Sequence, residues 1–124
     1  MMRLIPLLPV LLSGCVATAD SAVATGYRLV ALDGQPFTAE ATLAFADGAV
    51  AGQGPCNSWS ARLLDGPPAF RIGPVIATER ACPDLADEQD FFLALAIMQT
   101  AVAEGDTLTL TSPEGITMVF RAAP

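Results

Sequence analysis

The chain of 124 residues is about one domain long, and thirteen acidic residues against six basic ones give it a formal charge of −7. Every basic residue is arginine and histidine is absent, which removes the Ser-His-Asp and Cys-His pairs, the imidazole base, the P-loop lysine and Schiff-base chemistry. The acidic balance argues against a nucleic-acid partner, whose phosphates would repel this surface. The apolar fraction of 52% is diluted by alanine and contains no uninterrupted apolar run of the roughly 18 residues that a spanning helix needs.

The chain opens on an export signal. Arg3 supplies a positive start, Leu4 to Leu12 an apolar stretch, and Ser13-Gly14 the small residues that precede cleavage. Leu12-Ser13-Gly14-Cys15 resembles the bacterial lipobox, in which the cysteine is acylated and becomes the first residue of the mature chain. Residues 1–14 are therefore expected to be a lipoprotein signal peptide, and Cys15 the lipidation site. Val16 follows the cysteine where aspartate would favour inner-membrane retention, so the expected address is the outer membrane, facing the periplasm. Residues 15–26 (CVATADSAVATG) are mostly small and polar and read as a tether. The folded domain is expected over residues 27–124.

From Tyr27 onward, short apolar runs alternate with turn residues, which predicts a mainly β domain. Tyr27–Leu32 is a first strand closed by Asp33-Gly34. Ala41–Phe45 and Ala49–Gln53 flank Asp47-Gly48, a dipeptide suited to a type I′ hairpin because both central residues there need positive φ. Trp59–Leu64 and Ala69–Ile72 flank the turn Asp65 to Pro68. Between about Ala86 and Ala103 the period changes: Phe91, Leu95, Met98 and Val102 recur at spacings of four, three and four, which predicts one helical face closed by Glu104-Gly105. Phe92, Leu93 and Ile97 widen that face and predict a well-buried helix. The last hairpin is the clearest, with Leu108 and Leu110 among threonines, a turn at Ser112 to Gly115, and Ile116, Met118 and Phe120 resuming the alternation. One helix against many strands predicts an α+β, mainly β fold: a curved antiparallel meander or partial barrel with the helix packed on it.

Val50-Ala51-Gly52, Cys56-Asn57, Trp59-Ser60, then Thr78 and Cys82 ahead of the helix, and the closing Leu108/Leu110 hairpin resemble the META domain, the family of HslJ-like heat-shock lipoproteins. Tyr27-Arg28-Leu29 followed by Asp33-Gly34-Gln35-Pro36 matches that family's opening, and the resemblance spans roughly residues 26–121. Pro55 stands where the family usually has glycine before the Cys-Asn pair, and Ala61 where a glycine often follows the aromatic-serine pair. The resemblance implies a curved β fold with one helix, and it marks Gly52, Cys56, Asn57, Trp59, Thr78 and Cys82 as motif residues. It also implies a part in envelope stress or drug tolerance; no cofactor and no metal are expected from the residues themselves.

Three readings of Cys56 and Cys82 remain open on the sequence. An even pair left after lipidation suits a disulfide in the oxidising periplasm. Two buried reduced cysteines are the second reading. A reactive thiol is the third, with only Arg80 or a helix N-terminus to lower its pKa. Asn57 is expected to serve a turn, since no polar constellation accompanies it in the neighbouring sequence. The acids Asp84, Asp87, Glu88 and Asp90 lack the oxygen spacing and central glycine of a calcium loop, and are expected to complement the helix dipole on a solvated face. Trp59 and Tyr27 are too few rings for a sugar-binding row beside paired carboxylates.

The expected function is that of a non-enzymatic, outer-membrane-anchored binding module whose partners are the membrane, through Cys15, and an unidentified envelope protein or ligand. An anchored inhibitor of a periplasmic hydrolase such as lysozyme is the alternative, and a thiol-dependent oxidoreductase the third.

Overall fold

The computed structural model describes residues 26–123. The expected signal peptide, Cys15 and all of the tether before Gly26 lie outside the described residues. Ten strands and one helix follow in the order β1 (Tyr27–Leu32), β2 (Gln35–Pro36), β3 (Thr42–Ala46), β4 (Ala49–Gln53), β5 (Ser58–Asp65), β6 (Arg71–Ile72), β7 (Ile76–Ala77), α1 (Leu85–Ile97), β8 (Thr100–Glu104), β9 (Thr107–Thr111) and β10 (Thr117–Ala122).

All pairings are antiparallel, and the principal order is β6-β5-β4-β3-β1-β10-β9-β8, with β2 on β1 and β7 on β5. The two ends of that order approach each other: Ala69 bridges to Thr100, Phe70 N–H donates to the Gln99 carbonyl at 2.9 Å, and Ala101 N–H donates to the Pro68 carbonyl at 2.8 Å. The result is a nearly closed barrel, so few edge groups are left unpaired. The mainly β fold with one helix is what the alternation predicts.

Inward positions follow the period of two. Tyr27 and Leu29 of β1, Leu43 of β3, Val50 of β4, Trp59 and Ala61 of β5, Leu108 and Leu110 of β9, and Met118 and Phe120 of β10 are all buried in one core. In the last hairpin Leu110 faces Met118 and Leu108 faces Phe120. Gly115 closes the turn at φ 92°, a left-handed conformation that costs glycine nothing. The hairpin with positive φ at both central residues is Asp33 (51°) and Gly34 (81°), between Leu32 and Gln35. At Asp47-Gly48 only the glycine is left-handed, so the type I′ geometry expected there belongs instead to the first Asp-Gly pair.

The helix is shorter than its spacing predicts. Leu85–Ile97 contains neither glycine nor proline and, before Ile97, no β-branched residue, so it propagates readily. Met98 is already extended, and Thr100–Glu104 forms β8, with Ala101 opposite Leu110 and Ala103 opposite Leu108. Val102, counted on the helical face by spacing, is instead a strand residue pointing outward at 49% exposure. Glu104 ends β8 opposite Thr107, and Gly105-Asp106 turns the β8–β9 hairpin, so no helix ends there. The physical reason is barrel closure: Gln99 N–H donates to the Thr111 carbonyl, and β-branched Thr100 and Val102 suit the ladder better than another helical turn.

Burial of the helix is one-sided. Phe91, Ala94, Leu95 and the following Met98 enter the core, while Leu93 is 69% exposed and Ile97 42%, so the expected wide apolar arc is not all buried. Phe91 packs edge-on against Trp59, with ring centroids 5.7 Å apart, and also meets Phe37 and Phe92. Such an edge-to-face pair contributes about 0.5–1.5 kcal/mol beyond area burial. Phe91→Ala should cost about 3–5 kcal/mol in urea unfolding, whereas Leu93→Ala should change stability by less than about 0.5 kcal/mol; equal losses would contradict this helix orientation.

Candidate functional site

The motif residues converge where the β4–β5 loop meets the start of α1. The local chain explains the loop. Gly54 N–H donates to the Asn57 carbonyl at 2.7 Å, closing a tight turn around Pro55 and Cys56. A Cβ on Gly54 would stand 2.6 Å from a Glu88 carboxylate oxygen, so the helix's glutamate occupies the space a side chain would need.

Glu88 is the centre of the cluster. It is buried, at 3% exposure, and its Oε1 accepts the backbone N–H groups of Cys56 at 2.9 Å and Asn57 at 2.7 Å. Its Oε2 accepts the Asn57 side-chain amide at 2.6 Å. Among the described residues no cation is bridged to it; the two salt bridges, Arg71–Asp65 and Arg121–Asp106, are exposed and lie elsewhere. The charge of a buried carboxylate is offset here by aligned N–H donors, a charge-assisted arrangement about twice as strong as neutral hydrogen bonds.

Asn57, also buried, uses its whole amide. The Nδ2 group donates to Glu88 Oε2 and to the Arg80 carbonyl at 3.1 Å, while Oδ1 accepts from Thr78 Oγ1 at 2.9 Å and from Arg80 N–H at 2.6 Å. Two donors and two acceptors are the full capacity of the side chain. The expectation that no polar constellation accompanies Asn57 is thus corrected: Thr78, Arg80 and Glu88 arrive from 21 to 31 residues away. The expected structural role is what these bonds describe, because no amide atom remains for a ligand. Arg80 completes the arrangement by donating from its guanidinium to the Cys56 carbonyl at 2.7 Å.

Cys56 and Cys82 are joined in a disulfide, with Cα atoms 5.8 Å apart and a sequence separation of 26. Of the three readings of these cysteines, the structure holds the first. Cys56 is buried and Cys82 half-buried, and the bond ties the β4–β5 loop to the segment that enters α1. Leu85 N–H at the helix start donates to the Cys82 carbonyl at 3.1 Å.

Gly52 and Trp59 act one step away. They are partners in the β4–β5 register, and a Cβ on Gly52 would collide with the Thr42 carbonyl. That carbonyl accepts the Trp59 indole N–H at 3.2 Å, and Thr42 Oγ1 accepts Gln53 N–H at 2.9 Å. The glycine therefore admits a backbone group that the tryptophan satisfies, and the indole turns its edge to Phe91.

Sequence reasoning placed Glu88 on a solvated acidic face, and the structure corrects this: Asp84, Asp87 and Asp90 are exposed, while Glu88 turns inward. The signal was present, since Glu88 precedes Phe91 by three residues and so extends the stripe of Phe91, Leu95 and Met98. A carboxylate on an apolar stripe needs buried donors. Beside the cluster lies a shallow cleft of about 470 Å³ between β7 and α1, lined in part by Asn57, Thr78, Arg80, Glu88, Gln89 and Phe92.

A nearly closed antiparallel barrel, one helix and a disulfide-backed Asn–Glu staple define a small mainly β domain of a single kind. The chain belongs to the META domain family, whose pattern matches residues 20–124. It is similar in fold to the solution NMR structure of a protein from Burkholderia xenovorans, with a TM-score of 0.67 and 18% identity over 94% of this chain and 99% of that one. A second NMR structure is similar at a TM-score of 0.60 and 18% identity, covering 78% of this chain and 87% of that one. No curated protein was found to match.

Asn57→Ala should lower unfolding free energy by about 2–4 kcal/mol, because it strips a donor from a buried carboxylate and three hydrogen bonds from the Thr78–Arg80 segment. Thr78→Val, at an exposed residue that supplies one of the four Asn57 amide bonds, should cost less than about 1 kcal/mol. Chemical denaturation compares them, and equal effects would contradict the central place of Asn57. Reduction of the disulfide should remove about 3.5 kcal/mol, the loop-closure value for a bridge of this separation. Unfolding with and without dithiothreitol measures it, alongside alkylation that finds no thiol at either position before reduction.

Proposed function

We propose that this chain is a lipoprotein anchored through Cys15 to the outer membrane, where its META domain faces the periplasm as a non-enzymatic binding module in envelope stress or drug tolerance. The observation that carries the non-enzymatic reading is that the buried polar chemistry is closed on itself. The Asn57 amide is saturated, both Glu88 oxygens are engaged, and both cysteines of the domain are bonded. A thiol oxidoreductase would first need that bond opened, and the chain has no histidine or lysine to activate a sulfur afterwards.

The anchoring reading rests on the lipobox tetrapeptide ending at Cys15 and on the small, polar stretch that separates it from β1. The disulfide supports an oxidising compartment. A single acyl chain binds membranes only marginally, whereas several on one cysteine hold stably.

Expression in a Gram-negative host with an alkyne-tagged fatty acid tests the anchor. The wild-type chain should carry the label and partition into the detergent phase, and Cys15→Ala should lose both. Unchanged partitioning of the variant would overturn the anchored reading.

A further inference from the structure

We infer that the outer face of β8, β9, β10 and β1 is a self-complementary surface on which a second copy of this chain docks, β9 of each copy facing β10 of the other. The charged side chains of these four strands are Glu104, Arg121 and Arg28. The register sets them in one row, with Glu104 opposite Thr107, Thr107 opposite Arg121, and Arg121 opposite Arg28. Asp106, in the β8–β9 turn, joins that row: its carboxylate lies 3.9 Å from Arg121 and accepts the Thr107 hydroxyl at 3.4 Å. Acids therefore hold the β8–β9 half of the face and arginines the β10–β1 half. Like charges directly opposite on a sheet repel, and among the described residues no acid is bridged to Arg28.

The neighbouring row is uncharged. Val102 lies opposite Thr109 and Thr109 opposite Val119, with Val30 at the β1 bulge beside Val119. Val102 and Val30 are both exposed, and Thr109 and Val119 are half-buried. Glu114, in the β9–β10 turn, lies off this face in a recess beside Ile97 and Met98.

The order of the charges selects a second copy as the occupant. A two-fold axis parallel to the strands and between β9 and β10 keeps heights along the strands and sets β9 against β10 and β8 against β1 of the other copy. Asp106 then meets the partner's Arg121, Glu104 the partner's Arg28, and Thr109 the partner's Val119, each contact occurring twice. Nearly aligned strands are the usual way for two sheets to pack. The outside of a barrel is convex, so contact centres on β9 and β10, while Arg28 and Glu104 act across the rim. Four short strands offer fewer residues than the roughly 20–30 per side of a standard interface. Association is accordingly weak, and copies held on one membrane gain most from it through effective concentration. A dimer adds one partner to the binding-module reading and does not depend on the anchor.

Sedimentation equilibrium of the full chain in density-matched detergent measures association, and ¹⁵N amide shifts against protein concentration locate it. Dimer should form as concentration rises, with shifts confined to β8, β9, β10 and β1, and should weaken with added salt. Arg121→Glu sets acid against acid across the axis and Asp106→Arg sets base against base, so each alone should weaken association at least about ten-fold. Both side chains are exposed and their 3.9 Å pair contributes little to stability, so neither variant should change the fold. An equimolar mixture of the two variants places acid against base on both sides of the axis, and should associate about as tightly as the wild type. A monomer at every concentration up to about 1 mM, the level a short tether supplies, would overturn the inference. So would indifference to both variants, no recovery in the mixture, or shifts mapping to the exposed helix face at Leu93 and Ile97. Failure here leaves the fatty-acid labelling result untouched, so anchoring and docking are tested apart.

Discussion

Burying the carboxylate of Glu88 is the constraint around which the rest of the domain is arranged. An ionised carboxyl taken out of water loses several kcal/mol of solvation unless donors replace it. The donors come from the backbone at Cys56 and Asn57 and from the Asn57 side chain. Once that is required, the β4–β5 loop must turn its N–H groups toward the helix, and position 54 must be glycine to leave room for the carboxylate. The helix is thereby held at a set height and rotation against the barrel, which places Phe91 over Trp59 and Leu95 in the core. The disulfide acts on the same joint from the other side, limiting how far loop and helix separate in the unfolded chain.

A second layer of satisfied backbone supports the first. Thr42 presents a carbonyl into the space that Gly52 leaves empty, and the Trp59 indole N–H takes it up. Trp59 thus joins three things: the β3–β4 divergence, the inner face of β5 and the aromatic cluster under α1. The polar end and the aromatic centre of the helix contact are adjacent and mutually dependent, which explains why six motif residues spread over some thirty positions fall in one place. Together they form a staple between helix and sheet. Their hydrogen-bonding capacity is spent inside the protein.

Several features were legible because they depend on local period. The Leu108/Leu110 and Met118/Phe120 alternation needed only the pleat of a strand to declare an inner face. Asp33-Gly34 and Ser112 to Gly115 announced turns by residue chemistry. The helix start was legible from Phe91, Leu95 and Met98. Its end was not, because Val102 falls on the helical spacing by coincidence while Ala101 and Ala103 supply an equally valid strand face. Alanine carries too little hydrophobic contrast to decide between the two periods, so the partners of Gln99 and Ala101 in the Pro68 to Phe70 segment and in β9 settled the matter. Glu88 was misread for a related reason: a first-turn acid fits the helix dipole wherever its side chain points.

By itself the sequence determined that this is a mainly β domain with one helix, poor in catalytic groups, carrying the family motif at Gly52, Cys56-Asn57, Trp59, Thr78 and Cys82. Those properties follow from composition, short-range periodicity and residue type. Only the tertiary structure decided that Cys56 meets Cys82, that Asn57 spends all four hydrogen bonds on Thr78, Arg80 and Glu88, and that one acid among four turns inward. Each of these depends on where distant segments stop relative to one another. That relative placement is set by packing the helix on a nearly closed barrel, an arrangement no local window of residues contains.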